Sequence, residues 1–245
     1  MTELFTLPLL FEMEEMSFYI YPVVIKNNDS LIMVDVGYPM FLSDIEKAFD
    51  KIGLNIHNLT QVILTHYDHD HMGAANELIE KYPNIEVKCS KEQEPYILGK
   101  KKSLRLELAE RNGETLKGDA KKFNDGFIQM LRSVKYLDNV TTLSDGDMIC
   151  DGVKVIETPG HMPGHISLYF EPEKTLISGD MLVSEDGVLA IADKRFVLDE
   201  EEEIKSIEKI MNYDIEKIIC YHGGEYSSNR IKEELRDIIN NGYSN

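Results

Sequence analysis

The chain has 245 residues, 42% of them apolar and 29% charged, with a formal net charge of −18. This composition suits a soluble globular protein whose core fits one domain or two closely packed halves. Nucleic acid is excluded as a general partner because so acidic a chain repels phosphate, and no run reaches the roughly 20 apolar residues that span a membrane. The start, Met1-Thr2-Glu3-Leu4-Phe5, is acidic where a secretory signal is basic. Cys89, Cys150 and Cys220 are odd in number and far apart, which predicts neither a disulfide framework nor a zinc ribbon. Both features fit a cytoplasmic protein with reduced thiols.

Apolar runs at 16–26 and 31–36 flank Asn27-Asn28-Asp29-Ser30 and predict a hairpin. A helix follows over 44–51, with Ser43 as its N-cap and Gly53 past its end. Residues 61–64 form a short buried strand, 70–82 a helix that Pro83 closes, and 85–89 another strand. Residues 95–136 lack strand signals and read as two helices broken around Asn112-Gly113. From Leu98 to Lys122 this segment carries eight Lys or Arg against four Asp or Glu, so it is basic on an acidic protein. A solvated helical face is the plain reading; a lid or a homodimer contact is the alternative. Strands over 141–143, 153–157, 167–170 and 175–178 restore the rhythm. An acidic helix over 199–211, a buried strand over 217–220 and a helix over 229–240 complete it. Alternating strands and helices predict an α/β layered domain running through residues 1–245, with a helical insertion at about 95–136.

The chemistry sits at strand ends. Leu64-Thr65-His66-Tyr67-Asp68-His69-Asp70-His71 follows the predicted strand at 61–64 and places four possible metal ligands within six residues. His66 and Asp68 are two apart in extended chain and can face one side. Asp70 and His71 are expected to open the following helix, where an aspartate suits the positive end of the dipole. Three further candidates lie later: His161 in Thr158-Pro159-Gly160-His161-Met162-Pro163-Gly164-His165, Asp180 in Ser178-Gly179-Asp180, and His222 in Cys220-Tyr221-His222-Gly223-Gly224. Singly, each of these seven residues is an ordinary polar group. Jointly they read as a dinuclear metal site.

The pattern resembles that of the metallo-β-lactamase superfamily: His-x-His-x-Asp-His, a Gly-His loop, a bridging Asp and a late His. The likeness runs from Val34-Asp35-Val36-Gly37 to His222. It implies an αββα sandwich with metals at one edge between two sheets. It also assigns His66, Asp68 and His161 to a first metal, Asp70, His71 and His222 to a second, and Asp180 as the bridge. Asp68 departs from the pattern, since a histidine is usual there. A carboxylate is harder than imidazole and shifts preference from zinc toward iron or manganese, and it leaves open whether the first site fills. The flavodiiron branch resembles this chain in having a carboxylate, Glu, at that position.

Among the remaining residues, His165 is read as packing the loop or supporting a ligand, and His57 and His69 as surface residues. Asp35 either hydrogen-bonds a ligand imidazole or simply starts a turn before Gly37. Tyr67, Tyr221 and Tyr226 neighbour the ligands along the chain and could touch substrate. The expected activity is hydrolysis of a small ester, thioester or lactone by a hydroxide held between two divalent ions, zinc foremost, with Asp70 steering its proton. The rival is a di-iron protein that binds or reduces dioxygen.

Overall fold

The computed structural model describes residues 2–13 and 16–243. The chain opens with β1 (Thr2–Thr6), a hairpin of β2 (Leu9–Met13) and β3 (Met16–Ile20), and a second hairpin of β4 (Val23–Asn27) and β5 (Ser30–Val34). The strand expected over 16–26 is thus two strands, parted at Tyr21-Pro22, where proline has no N–H for a ladder. The predicted turn forms: Asn27 pairs with Ser30, and Asn28 takes a left-handed φ of 55°.

Next come α1 (Leu42–Lys51), β6 (Leu59–Ile63) and α2 (Ala75–Lys81). Ser43 is not a cap, because α1 begins at Leu42 with Phe41 ahead of it. The larger correction is α2, which starts five residues beyond Asp70. The N–H groups of His71 and Met72 both donate to the Asp68 carbonyl, while the His71 carbonyl accepts from Val36 and cannot serve a helix. Gly73 makes this winding possible: a Cβ there would lie 2.3 Å from the His69 carbonyl oxygen. Asp70 and His71 therefore stand in a turn rather than on a helix. Then follow β7 (Glu86–Ser90), α3 (Glu94–Ile97), α4 (Leu104–Gly113), α5 (Gly118–Ser133) and β8 (Thr141–Leu143).

The second half contains β9 (Met148–Cys150), β10 (Val153–Glu157), β11 (Ile166–Phe170), β12 (Thr175–Gly179) and the hairpin of β13 (Leu182–Glu185) and β14 (Val188–Ile191). It finishes with α6 (Glu200–Ile210), β15 (Lys217–Cys220), β16 (Gly224–Ser227) and α7 (Ile231–Asn241). One six-stranded sheet runs β1-β4-β5-β6-β7-β8 and the other β16-β15-β12-β11-β10-β9.

Strand alternation builds the layers. Ile32, Val34 and Ile63 of one sheet meet Val155, Leu168 and Ile219 of the other in a shared inner core. On the outer face of the first sheet, Leu31, Met33 and Val62 pack with Ile45 and Phe49 of α1 and Leu78 of α2. On the outer face of the second, Leu176 and Ile218 pack with Ile207 of α6 and Leu235 of α7. The result is an αββα sandwich. Helices α4 and α5 join each other through a small cluster of their own, Leu106, Ala109 and Leu131. Among the described residues no helix is long and apolar enough to cross a membrane.

Candidate metal centre

The sites that sequence spacing singled out gather where strands end. Asp35 follows β5, His66 follows β6, His161 lies in the loop after β10, Asp180 follows β12 and His222 follows β15. Two clusters of possible ligands result: Asp70, His71, Asp180 and His222, and His66, His161 and Asp180. Asp180 belongs to both.

In the first of these clusters, His71 Nε2 lies 3.2 Å from Asp180 Oδ1 and 3.8 Å from Asp70 Oδ2. His222 Nε2 lies 3.3 Å from Asp70 Oδ2 and 3.5 Å from Asp180 Oδ2. Asp35 aims the His71 ring, accepting from Nδ1 at 2.8 Å so that Nε2 faces the other ligands. The Asp35 carboxylate is itself fixed by the Thr65 N–H at 2.8 Å and the Thr65 hydroxyl at 2.7 Å. Its residue adopts φ 59°, a left-handed conformation that re-aims the chain at the strand end. Of the two readings open from sequence, hydrogen bonding to an imidazole is the one the structure contains. Asp35→Asn is expected to weaken metal retention by about 10–100-fold, the range for a partner behind a ligand. Chelator competition measures this, and unchanged affinity would contradict it.

His66 and His161 face each other in the other cluster, with ring centroids 4.9 Å apart. His66 Nδ1 lies 3.0 Å from Thr65 Oγ1. That hydroxyl gives its own proton to Asp35, so the imidazole donates and Nε2 keeps its lone pair toward the site. His165 is a supporting residue. Its Nδ1 lies 2.9 Å from Thr158 Oγ1, and its Nε2 accepts the Asp180 N–H at 3.1 Å, which seats the shared aspartate. Gly179 allows that approach, because a Cβ there would lie 2.5 Å from His165 Nε2.

Asp68 stands apart from both clusters. Its Oδ2 lies 3.5 Å from His66 Nε2 and 3.6 Å from His161 Nε2, yet accepts from Arg105 Nε at 2.8 Å. Arg105 Nη2 lies 3.0 Å from His161 Nε2 and donates to the Phe196 carbonyl at 2.6 Å. The 95–136 segment is therefore not simply a solvated face, for it delivers a buried guanidinium to the site. Tyr67 ties the same helix down by accepting the Leu104 N–H at 3.2 Å.

His69 also differs from expectation. It is half-buried between Tyr38 and Phe127, at 5.3 and 5.4 Å between ring centroids, with Nδ1 3.4 Å from Asp70 Oδ1. His57 is exposed as expected. Tyr221 packs its ring on His71 at 3.9 Å, and its hydroxyl donates to the Asp70 carbonyl. Among the described residues no hydrogen bond or ring contact joins Tyr226 to this group.

Electrostatics favour a cation here. Burial alone would raise the carboxyls of Asp70 and Asp180, but neighbouring imidazoles hold both well below the usual range. Burial works against protonating His222, yet Asp180 and Asp70 push it up to about 10, and His71 is driven well above its ordinary value. Burial likewise opposes the charged form of Asp68, but Arg105 together with His161 and His66 outweighs it and holds the carboxyl well below its ordinary range. The buried atoms His66 Nε2, His71 Nε2 and Asp180 Oδ1 have no hydrogen-bond partner among the described residues. Imidazole and carboxylate donors left bare in a negative pocket fit a divalent transition metal.

Two functional neighbours escape sequence reasoning. Arg105 shares a buried i, i+4 stripe with Ala109 and Gly113, which is the available signal. Glu203, on the buried face of α6, accepts the His161 N–H at 2.5 Å. Burial pushes its carboxyl up to about 9, well above the ordinary 4.5. A raised acid pKa means stability that is complete below about pH 4.5 and declines as pH rises toward 9. Glu203→Gln should lack this decline, so its stability relative to the parent grows by up to about 1.4 kcal/mol per pH unit across that window. Urea midpoints at pH 5 and pH 8 check it; parallel behaviour of the two proteins would contradict it.

Comparison with known proteins agrees with this geometry. The family model described as metallo-beta-lactamase superfamily matches residues 18–222. The chain is 26% identical over 225 residues to YflN of Bacillus subtilis, named a probable metallo-hydrolase, covering 86% of this chain and 82% of that protein. It is 25% identical over 215 residues to the hydroxyacylglutathione hydrolase of Crocosphaera subtropica, covering 87% of this chain and 66% of that one. Its fold is similar to the crystal structure of a metallo-beta-lactamase family protein from Thermus thermophilus, with a TM-score of 0.75 at 17% identity over 98% of this chain and 79% of that one. With fold, strand-end ligands and a match over residues 18–222 in agreement, the chain belongs to the metallo-β-lactamase superfamily.

Proposed function

We propose that the protein is a metal-dependent hydrolase of a small ester, thioester or lactone, with Asp70, His71, Asp180 and His222 holding its metal. The observation that carries this reading is the four-residue cluster with bare donor atoms at converging strand ends. A divalent ion bound there would polarise a carbonyl oxygen and make water a better nucleophile. The chain's own residues supply the rest. Asp70 faces the more open side, next to His222 with its partly exposed side chain. Its carboxylate can take up a proton from water and pass it to a leaving group. Asp35, Thr65 and Tyr221 hold the imidazole and the loop in place.

Apolar surface beside the cluster favours an acyl substrate. Phe18 lies 6.4 Å from His222 between ring centroids, on a hairpin that also exposes Leu10, Met16 and Tyr19. The relative named hydroxyacylglutathione hydrolase supports an acyl class, and the net charge of −18 disfavours phosphodiesters. The dioxygen alternative finds no support in the relatives named above. The test is a panel of esters, acyl thioesters and lactones with protein loaded in parallel with zinc, manganese or iron. Turnover of at least one acyl class is expected, and none with fully loaded protein would contradict the reading.

A further inference from the structure

We propose that Arg105 takes the place of one of the two metal ions, so that the protein holds a single transition-metal ion, at Asp70, His71, Asp180 and His222. This rests on the metal-dependent reading above. Arg105 is 6% exposed and reaches the site from α4. Its Nε donates to Asp68 Oδ2 at 2.8 Å, and its Nη2 lies 3.0 Å from His161 Nε2. Those acceptors are the atoms that would otherwise ligate an ion together with His66 Nε2. Asp68 Oδ2 is 3.5 and 3.6 Å from the two imidazole nitrogens, close to the separation of neighbouring donors about 2.0–2.2 Å from a tetrahedral ion.

The guanidinium removes that possibility in two ways. A nitrogen whose lone pair accepts an Arg N–H has none left for a metal, and Arg has no acceptor atoms and stays protonated throughout the physiological range. A divalent ion inserted beside it would face a like charge at close range with little water between them. Asp68 and Arg105 depend on each other, since an imidazole at position 68 would give the guanidinium no carboxylate to pair with. The Phe196 carbonyl accepts a further hydrogen bond from Nη2 at 2.6 Å and holds the side chain inward. Three buried carboxylates, Asp68, Asp70 and Asp180, stand around the centre, and the guanidinium supplies a fixed positive charge beside them. Arg105 donates to Asp68, His161 and the Phe196 carbonyl and to none of Asp70, His71, Asp180 and His222, so that cluster keeps a complete set of four ligands.

Metal content of the full chain tests this directly. Stripped protein is loaded with excess zinc, freed of loose metal by gel filtration, and analysed for zinc per chain. The expected ratio is one for the parent, none for His71→Ala, and two for Arg105→Ala, where His66, Asp68, His161 and Asp180 become available together. Arg105→Gln keeps most of the stem and should also rise to two, which covers the case in which the alanine variant fails to fold. A ratio of two in the parent overturns the proposal, as does a ratio that stays at one in a folded Arg105 variant. Retention of zinc by His71→Ala would place the ion in the wrong cluster and overturn it too. No zinc in the parent would instead overturn the metal-dependent reading itself, so the two failures are distinct.

Discussion

Asp180→Ala is expected to leave the protein unable to retain a transition metal and to lower kcat/KM by more than about 10²-fold. Loss of a partner one bond behind a ligand already costs about 10–100-fold in affinity, and Asp180 is placed as a ligand itself. It is the one residue common to both clusters, with Oδ1 3.2 Å from His71 Nε2 and Oδ2 3.5 Å from both His161 Nε2 and His222 Nε2. Its position is built in: it follows β12 directly, and its N–H donates to His165 Nε2. The alanine variant keeps that backbone bond, so folding should survive while three imidazoles lose their common neighbour. Zinc analysis and steady-state kinetics on the same sample measure the effect. A variant that retains full metal and activity would show that Asp180 does not ligate.

The second large effect concerns stability. Asp68→Ala should destabilise the metal-free protein by about 3–5 kcal/mol, the cost of leaving one member of a buried ion pair without its partner. Asp68 and Arg105 are each about 7% exposed at the side chain. Asp70 and Asp180 also lie in the field of Arg105, which places the expected value toward the lower end of that range. Replacing both members, Asp68→Ala with Arg105→Leu, should recover most of the loss, because no uncompensated charge then remains. Urea unfolding of the parent, both single variants and the double variant forms the cycle. Equal stability of Asp68→Ala and the parent would show that the pair contributes nothing.

Much of this molecule is legible in its sequence, for a physical reason. Strands such as β6 and β15 are short apolar runs, and the polar residues that follow them have no role in the core, so His66 and His222 stand out. The alternation that packs Ile32 against one layer and Met33 against the other is equally visible. What escapes depends on partners distant in sequence. The start of α2 is decided by the His71 carbonyl bonding to Val36, a strand end 35 residues earlier, and local helix signals carry no trace of it. His69 reads as a surface residue because the rings that cover it come from Tyr38 and Phe127. Arg105 looks like one more cation in a basic segment. Its meaning appears only when α4 is folded back onto Asp68, 37 residues away.

Hydrolysis by this protein should depend, above all, on metal held at Asp70, His71, Asp180 and His222. The most direct measurement follows turnover of one acyl substrate by the parent and by His222→Ala, with metal content determined on each sample before chelation, after it and after zinc is restored. Parental activity is predicted to fall with the metal and return with it, while His222→Ala regains neither. Activity that persists in metal-free parent, or that returns fully in His222→Ala, would contradict this dependence.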